Sequence, residues 1–224
     1  VETDARDVTT VVYGEQRRGK PRAVIMQRQV PGSGWSRART LAADGYPVEL
    51  EVDRAGDALV VFRTRARRLD AVTRPVGGGW RGPRTLTPPG AHIDSFDAAM
   101  NGAGNTLVTW VRGNGDVEAV RKDPGRPWTR PDLLAPAGGP FVSAAIDEDA
   151  DALVVWGYFA VEAAVQAAGS GWSEPATVAR NQDGVVEVLD TATGRDGGFL
   201  VLSKKEDTAL RVRDVVPAPT SESR

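Results

Sequence analysis

Five carboxylates, Glu49, Glu51, Asp97, Glu187 and Asp190, lie in short apolar runs that read as the first strand of a repeated unit. Two carboxyl groups held several ångströms apart can cleave a glycosidic bond, one as acid and the other as base or nucleophile. If those first strands are innermost, all five approach a common channel, and they are the binding-site candidates. The alternative is a water-filled channel lined by soluble residues. A second group, Asp147, Asp149 and Asp151, alternates as the opening of a calcium loop does. Ala152 stands where that loop has its glycine, and Tyr158 where it has its bidentate glutamate. These three are therefore a weak calcium candidate beside the plainer reading of an acidic hairpin turn, and no other cofactor is expected. His92 is the only histidine, which excludes a histidine-rich metal site and a His-based triad. No cysteine is present, so thiol nucleophiles, disulfides and Cys-zinc sites are excluded as well. Neither a G-x-S-x-G elbow nor a phosphate-binding glycine loop occurs. Of the tyrosines, Tyr13 falls at a packing position and Tyr46 and Tyr158 fall in loops. No set of residues is one that a catalytic mechanism would single out, so no catalytic residue is assigned.

The elements that position these residues repeat. Val11-Val12-Tyr13, Leu59-Val60-Val61-Phe62, Leu107-Val108-Thr109-Trp110, Leu153-Val154-Val155-Trp156 and Phe199-Leu200-Val201-Leu202 end at steps of 49, 48, 46 and 46 residues. A strand-rich period of that length marks a β-propeller or a related β-array. In the third copy, Ser95 to Met100 reads as strand A, Thr106 to Val111 as B, Asp116 to Lys122 as C and Pro131 to Ala135 as D. The second and fourth copies follow the same plan. The first copy keeps only the end of a strand A, and the fifth has no evident strand D. The expected fold is all-β: a β-propeller of four-stranded antiparallel blades, about five of them. Blades are expected at approximately 1–45, 46–92, 93–138, 139–182 and 183–216, in a single domain over 1–216. Residues 217–224 read as a flexible tail or linker. The short end copies leave a second arrangement, part of a larger propeller completed by an upstream segment or a closure partner.

Recurring residues have folding roles. Trp35, Trp80, Trp128 and Trp172 share one repeat position, with Gly32, Gly77, Gly125 and Gly169 three residues before. The glycine suits a positive φ in the C–D turn, and the tryptophan is expected to pack over strand D. Trp110 and Trp156 end strand B. Asp4, Asp53, Asn101 and Asp147 open the A–B turns, where such side chains bond the backbone two residues on.

The C-strand followed by x-x-Gly-x-x-Trp and a D-strand resembles the Asp-box (BNR) repeat of sialidase-like β-propellers. In that family a Ser-x-Asp-x-Gly-x-x-Trp motif closes this turn. Here Gly and Trp survive in four copies, the motif aspartate only at Asp123, and the serine in none. The resemblance implies the propeller fold and, for an active relative, a tyrosine nucleophile with three arginines on the substrate carboxylate; no such set stands out in this chain.

The balance of 28 basic and 30 acidic residues gives a net charge of −2 and no global pull toward nucleic acid. The arginine-rich stretch from Arg63 to Arg68 is flanked by acids and reads as a solvated hairpin tip, with an anion or polysaccharide site as its alternative. No apolar run is long enough to span a membrane. These observations favour a non-catalytic binding module, extracellular or at the cell surface, recognising a glycan or protein through one face. A scaffold domain of a longer secreted protein and a degenerate sialidase-like hydrolase or lyase are the alternatives. Loop residues differ between copies, which argues for one composite site rather than identical ones.

Overall fold

A computed structural model describes residues 1–16, 18–180, 186–193, 198–205 and 209–215, with side chains for 1–16, 18–180, 190–193 and 198–203. Every regular element among them is a β-strand. The first sheet holds β1 (Glu2–Thr3), β2 (Thr9–Gln16), β3 (Arg22–Gln29) and β4 (Arg39–Ala42). The second holds β5 (Val48–Val52), β6 (Ala58–Arg63), β7 (Leu69–Arg74) and β8 (Arg81–Thr85). The third holds β9 (Ile93–Met100), β10 (Thr106–Arg112), β11 (Val117–Lys122) and β12 (Asp132–Ala135). The fourth holds β13 (Phe141–Ile146), β14 (Ala152–Gly157), β15 (Ala160–Gln166) and β16 (Ala176–Arg180). The fifth holds β17 (Val186–Thr193), β18 (Phe199–Lys205) and β19 (Ala209–Val215). In each sheet the strands lie in chain order, the antiparallel meander of a propeller blade. The fold is all-β with about five such blades, and the last shows three strands among its described residues.

The sheets fall into two compact units. One runs from Val1 to Ile93, with Gly102–Gly104, and contains the first two blades; the other begins at Asp94 and contains the rest. In the first unit, Val24, Leu50, Val60, Phe62 and Val72 form the core, bordered by Val12, Leu41 and Trp80. In the second unit β14 is buried on both faces. Ala152, Val154 and Trp156 pack with Leu107, Val111 and Val117 of the third blade. Leu153 and Val155 point the other way and pack with Phe199 and Val201 of the fifth. Period-two alternation sends successive side chains to opposite faces, so a continuous apolar run serves a strand covered on both sides.

The turn and strand devices expected from the repeat are present with one change in reach. Asp4, Asp53, Asn101 and Asp147 are all buried. Each accepts the backbone amide four residues on, in addition to any bond two residues on: Val8 at 3.0 Å, Asp57 at 2.7 Å, Asn105 at 2.9 Å and Asp151 at 2.8 Å. The loop is one residue longer than a tight turn, and the i+4 amide is the one that points back into it. Asp4 also reaches the Arg6 amide two residues on, at 2.9 Å. Gly32, Gly77, Gly125 and Gly169 all adopt φ between 68° and 74°. A Cβ at any of them would meet nothing within 4 Å, so conformation alone selects glycine there. The C–D pairing carries a register shift in each of the first four blades, at Val24/Ile25, Ala71/Thr73, Val117/Glu118 and Val161/Glu162. A bulge at that place bends the outer strand and re-aims its side chains.

The four turn tryptophans differ. Trp128 is buried, Trp80 and Trp172 are partly buried against the cores, and Trp35 is 49% exposed. Three of them are therefore packed inward, whereas Trp35 forms an isolated bridge with Gln29. The strand-B tryptophans are fully buried, and both spend the indole N–H on a glutamate of the neighbouring strand. Trp110 Nε1 donates to Glu118 Oε2 at 2.8 Å and Trp156 Nε1 to Glu162 Oε2 at 3.1 Å.

Candidate binding clefts between neighbouring blades

The register of strands B and C brings the A–B turns and the C–D turns to the same end of each sheet: Ala58 pairs with Arg74, Thr106 with Lys122, and Ala152 with Gln166. At that end a cleft opens between the first two blades and another between the third and fourth. Each lies wholly within one of the two units.

The side chains at the ends of the third strands build both clefts from equivalent places. Arg28 on β3 and Arg121 on β11 stand opposite Thr10 and Leu107, one register step in from the turn. From the next blade come Arg74 on β7 and Gln166 on β15, opposite Ala58 and Ala152. The first cleft, of about 620 Å³, is lined by Arg28, Arg37, Arg39, Arg74 and Trp80 among others. The second, of about 510 Å³, is lined by Arg121, Asp123, Trp128, Thr129, Gln166 and Ser170 among others. The positive-φ glycines let the C–D turns fold back and leave this space open. The indole comes from the following blade in the first cleft and from the preceding blade in the second.

The turns beneath the clefts are tied together. Arg6 Nη2 donates to Asp4 Oδ2 at 2.9 Å and to Ala55 O at 2.7 Å, joining the turns of the first two blades. A Cβ on Gly56 would lie 2.4 Å from that guanidinium and 2.5 Å from Asp4, so this glycine is fixed by close approach as well as by its φ of 95°. Asn101 Nδ2 donates to Asp147 O at 2.7 Å and does the same for the third and fourth blades. Burial, outweighing the amides of Asp57 and Gly56, raises the Asp53 carboxyl above its ordinary value. Burial raises Asp147 likewise against the Asp151 amide, with the Asp151 carboxylate adding to the rise. Burial also pushes Asp4 upward, but the Val8 amide and the Arg6 side chain and amide together hold it below the usual carboxylate range.

The cations of the two clefts differ in how they are satisfied. Arg121 Nη1 donates to Gln166 Oε1 at 2.9 Å, and its Nη2 donates to Ala150 O at 2.7 Å. Burial lowers the Arg121 pKa, while Asp123, Asp151 and Asp147 draw it back up. Arg74 Nη2 donates to Gly56 O at 2.6 Å, and its guanidinium carbon lies 5.9 Å from the centre of the Trp80 ring.

Of the five carboxylates expected at the site, the four with described side chains line neither cleft. Glu49 and Glu51 lie half-buried on β5 of the first unit. Asp97 lies half-buried on β9, and Asp190 lies exposed on β17, both in the second unit. Glu187 is on β17, and its side chain falls outside the described residues. Asp97 and Asp190 are brought together electrostatically with a hydroxyl pair. Asp97 Oδ2 accepts from Ser143 Oγ at 3.0 Å and from the Ala144 amide at 2.8 Å, and Ser143 Oγ pairs with Thr191 Oγ1 at 2.9 Å. Burial is the main cause that raises the Asp97 pKa, and nearby Asp190 adds to it. At the acidic turn, Asp147 Oδ1 is bonded to the Asp151 amide and Asp151 Oδ1 accepts the Ala168 amide at 2.8 Å. Among the described residues no three His, Cys, Asp or Glu side chains are grouped to hold a metal ion. His92 is exposed.

A third cavity, of about 750 Å³, lies at the opposite end of the first unit, around the arginine-rich tip between Arg63 and Arg67. Its groups are engaged internally: the Arg22 guanidinium stacks 4.1 Å from the Tyr46 ring centre, and Asp44 Oδ2 accepts the Arg65 amide at 2.9 Å.

The sequence matches no protein-family profile and no curated protein. Solved structures do resemble it. The BP39L lectin from Burkholderia pseudomallei superposes with a TM-score of 0.66 at 18% identity, over 94% of this chain and 63% of the lectin. A triple arginine-to-alanine mutant of AofleA from Arthrobotrys oligospora gives 0.59 at 16%, over 96% and 67%. The intramolecular trans-sialidase from Ruminococcus gnavus, in complex with oseltamivir carboxylate, gives 0.52 at 14%, over 87% and 50%. The chain thus spans about 63% of the length of the lectin it resembles. At these identities the likeness establishes the fold, in agreement with the repeat.

Proposed function

We propose that this chain is a glycan-binding module that works without catalysis, through the clefts between neighbouring blades. One observation carries the proposal: the same cleft recurs in each unit, built from register-equivalent polar side chains and one indole. An indole face offers an apolar surface to the C–H side of a sugar ring, and guanidinium and amide groups supply hydrogen bonds to its hydroxyls. A few convergent polar groups in a concave, partly aromatic site are what small-ligand recognition needs. The similarity to a lectin supports the same reading. Asp123 is the one carboxylate among the lining residues of the two clefts, whereas glycoside cleavage uses a pair. Glycans of the kind such a module meets are displayed outside cells, and we place it there.

A glycan array followed by calorimetry on the best hits tests this. Arg121→Ala and Trp80→Ala, each checked for retained β-structure by circular dichroism, are expected to weaken binding at least about tenfold, since hydrogen bonds to charged groups and stacked aromatics each contribute on that scale. An array with no saturable ligand, or hits whose affinity neither variant changes, refutes the proposal.

A further inference from the structure

We propose that the cleft between the first and second blades is an oxyanion site, shaped to hold the sulfate ester or carboxylate of an acidic glycan. The inference rests on the glycan-binding reading and specifies what this one cleft selects. Among the described residues, three buried side-chain donors lack a hydrogen-bond partner: Arg28 Nε, Arg74 Nε and Trp80 Nε1. All three belong to residues that line this cleft. Arg74 is only 6% exposed, so its unfilled Nε lies in the interior rather than in bulk solvent. Guanidinium and indole N–H groups are donors with no acceptor capacity. A guest that reaches these donors from the cleft must therefore bring lone pairs.

Charge decides between a neutral and an anionic guest. Arg28, Arg37, Arg39 and Arg74 all line the cleft, and none of the lining residues is acidic. Burial first, and then the neighbouring Arg28, pulls Arg74 below its ordinary pKa. Asp57 and Asp4 act on Arg74 in the opposite sense, but both stand outside the cleft lining. Asp57 Oδ1 is bonded to the Val76 amide, and Asp4 is bonded to the Arg6 guanidinium. A hydroxyl or water molecule would fill single donors without relieving two guanidinium groups held together at low dielectric. An oxyanion does both, and charge-assisted hydrogen bonds to arginine are the strong ones.

The sister cleft provides an internal control. Gln166 occupies the register position of Arg74 there, its Oε1 accepts from Arg121, and Asp123 stands in the lining. The second cleft thus sets Arg121 and Arg126 against Asp123, with Arg121 satisfied by Gln166, whereas the first sets four arginines against no acid and leaves the balance to its ligand.

Nitrogen-15 NMR of the intact chain reads the three donors directly, with the Trp80 indole signal assigned by Trp80→Phe. Titrations would use sodium sulfate, galactose 6-sulfate, glucuronic acid and galactose, against sodium chloride at matched ionic strength. Saturable shifts of the Trp80 indole and of arginine Nε signals are expected with sulfate and with the charged sugars. Arg74→Gln, which copies the sister cleft, and Arg28→Gln are each expected to weaken this binding at least about tenfold. Arg39→Gln, at an exposed lining position, tests the same point should Arg74→Gln fail to fold. The sulfated and uronic sugars distinguish tetrahedral from planar anions. Neutral galactose binding as tightly as its sulfate overturns the oxyanion site and leaves the glycan reading standing. Sulfate binding with no sugar bound keeps the oxyanion site and removes the glycan reading. Shifts that follow ionic strength alone, or that persist in all variants, overturn the inference.

Discussion

Removing Glu118 should cost far more than an exposed glutamate would, and most of the cost should disappear once Trp110 is also gone. The Trp110 side chain has no solvent exposure, and its N–H donates to Glu118 Oε2 at 2.8 Å. Glu118 is buried too, and its second oxygen accepts from Arg112 Nη1 at 3.3 Å. Glu118→Ala strands the indole N–H in a dry site and deletes a charge-assisted bond, a loss of about 2–3 kcal/mol. The Arg112 pairing adds little, because that cation is 31% exposed. Trp110→Phe alone opens space and leaves Glu118 with Arg112 as its remaining side-chain partner. In the double variant neither orphan exists. The second blade shows a carboxylate at this position without an indole: Phe62 pairs in register with Asp70, which accepts from Thr85 Oγ1 at 2.8 Å instead. Urea unfolding of the wild type, both single variants and the double variant forms a double-mutant cycle. The double variant should be more stable than the sum of the single losses by about 1–2 kcal/mol. Glu118→Gln, which keeps an acceptor, should cost about 1 kcal/mol. Losses that add within about 0.5 kcal/mol would show that the bond carries no coupling energy, and the argument from orphaned donors would fail.

Other outcomes follow from the turns and the inner strands. Asp53→Ala removes the acceptor for the amides of Gly56 and Asp57, both at 2.7 Å, and should destabilise by about 1–2 kcal/mol in denaturant titration, with Asp53→Asn retaining most of that. Gly77→Ala should cost about 1 kcal/mol from its φ of 68° alone, since open space surrounds the position; a loss above about 3 kcal/mol would point to a clash the structure does not contain. The Asp97 pKa is raised above the ordinary 3.8, so its contribution to stability is full below that value and is lost as pH rises through the raised one. Unfolding midpoints of Asp97→Asn from pH 3 upward should lack that decline, and a difference from wild type that does not vary with pH would contradict the assignment. Asp4, held below 3.8, works with the opposite sign: its contribution is present above pH 3.8 and fades as pH falls through the lowered value, a component that Asp4→Asn should remove.

Most of the framework was legible because folding needs the same thing in every copy. The second-blade strands Val48–Val52, Ala58–Arg63 and Leu69–Arg74 and the fourth-blade strands Phe141–Ile146 and Ala152–Gly157 begin and end where apolar patterning and turn residues place them. The fourth strands were less sharply marked. The fourth strand of the second blade, Arg81–Thr85, is exposed throughout, and an exposed edge strand carries no apolar pattern to define its ends. The turn acids were identified, but their reach to the fourth amide depends on loop geometry that residue type does not encode. Trp35 shares its spacing with three packed tryptophans, yet stays half exposed, a difference set by what covers it and invisible in the repeat.

The clefts were missed for the converse reason. A scan for shared residues finds what each blade needs in order to stack, and a binding site need not be shared. Arg28 and Arg121 stand four residues before their turn glycines and Arg74 and Gln166 three, so each pair is aligned by spacing alone; that one kind of position meets the other across neighbouring blades is shown only by the folded chain. Once they are aligned, the departure from repetition is the informative part. Where the fourth blade has Gln166 the second has Arg74, and an internally satisfied pair gives way to two arginines that line one cleft with unfilled Nε donors. Arg74 also donates to Gly56 O, but burial and the neighbouring Arg28 outweigh Asp57 and Asp4 in lowering its pKa, so the charge is incompletely compensated within the chain. An arrangement that costs stability in the free protein and is relieved by an anionic guest is what selection for binding would leave at one cleft and not at its sister.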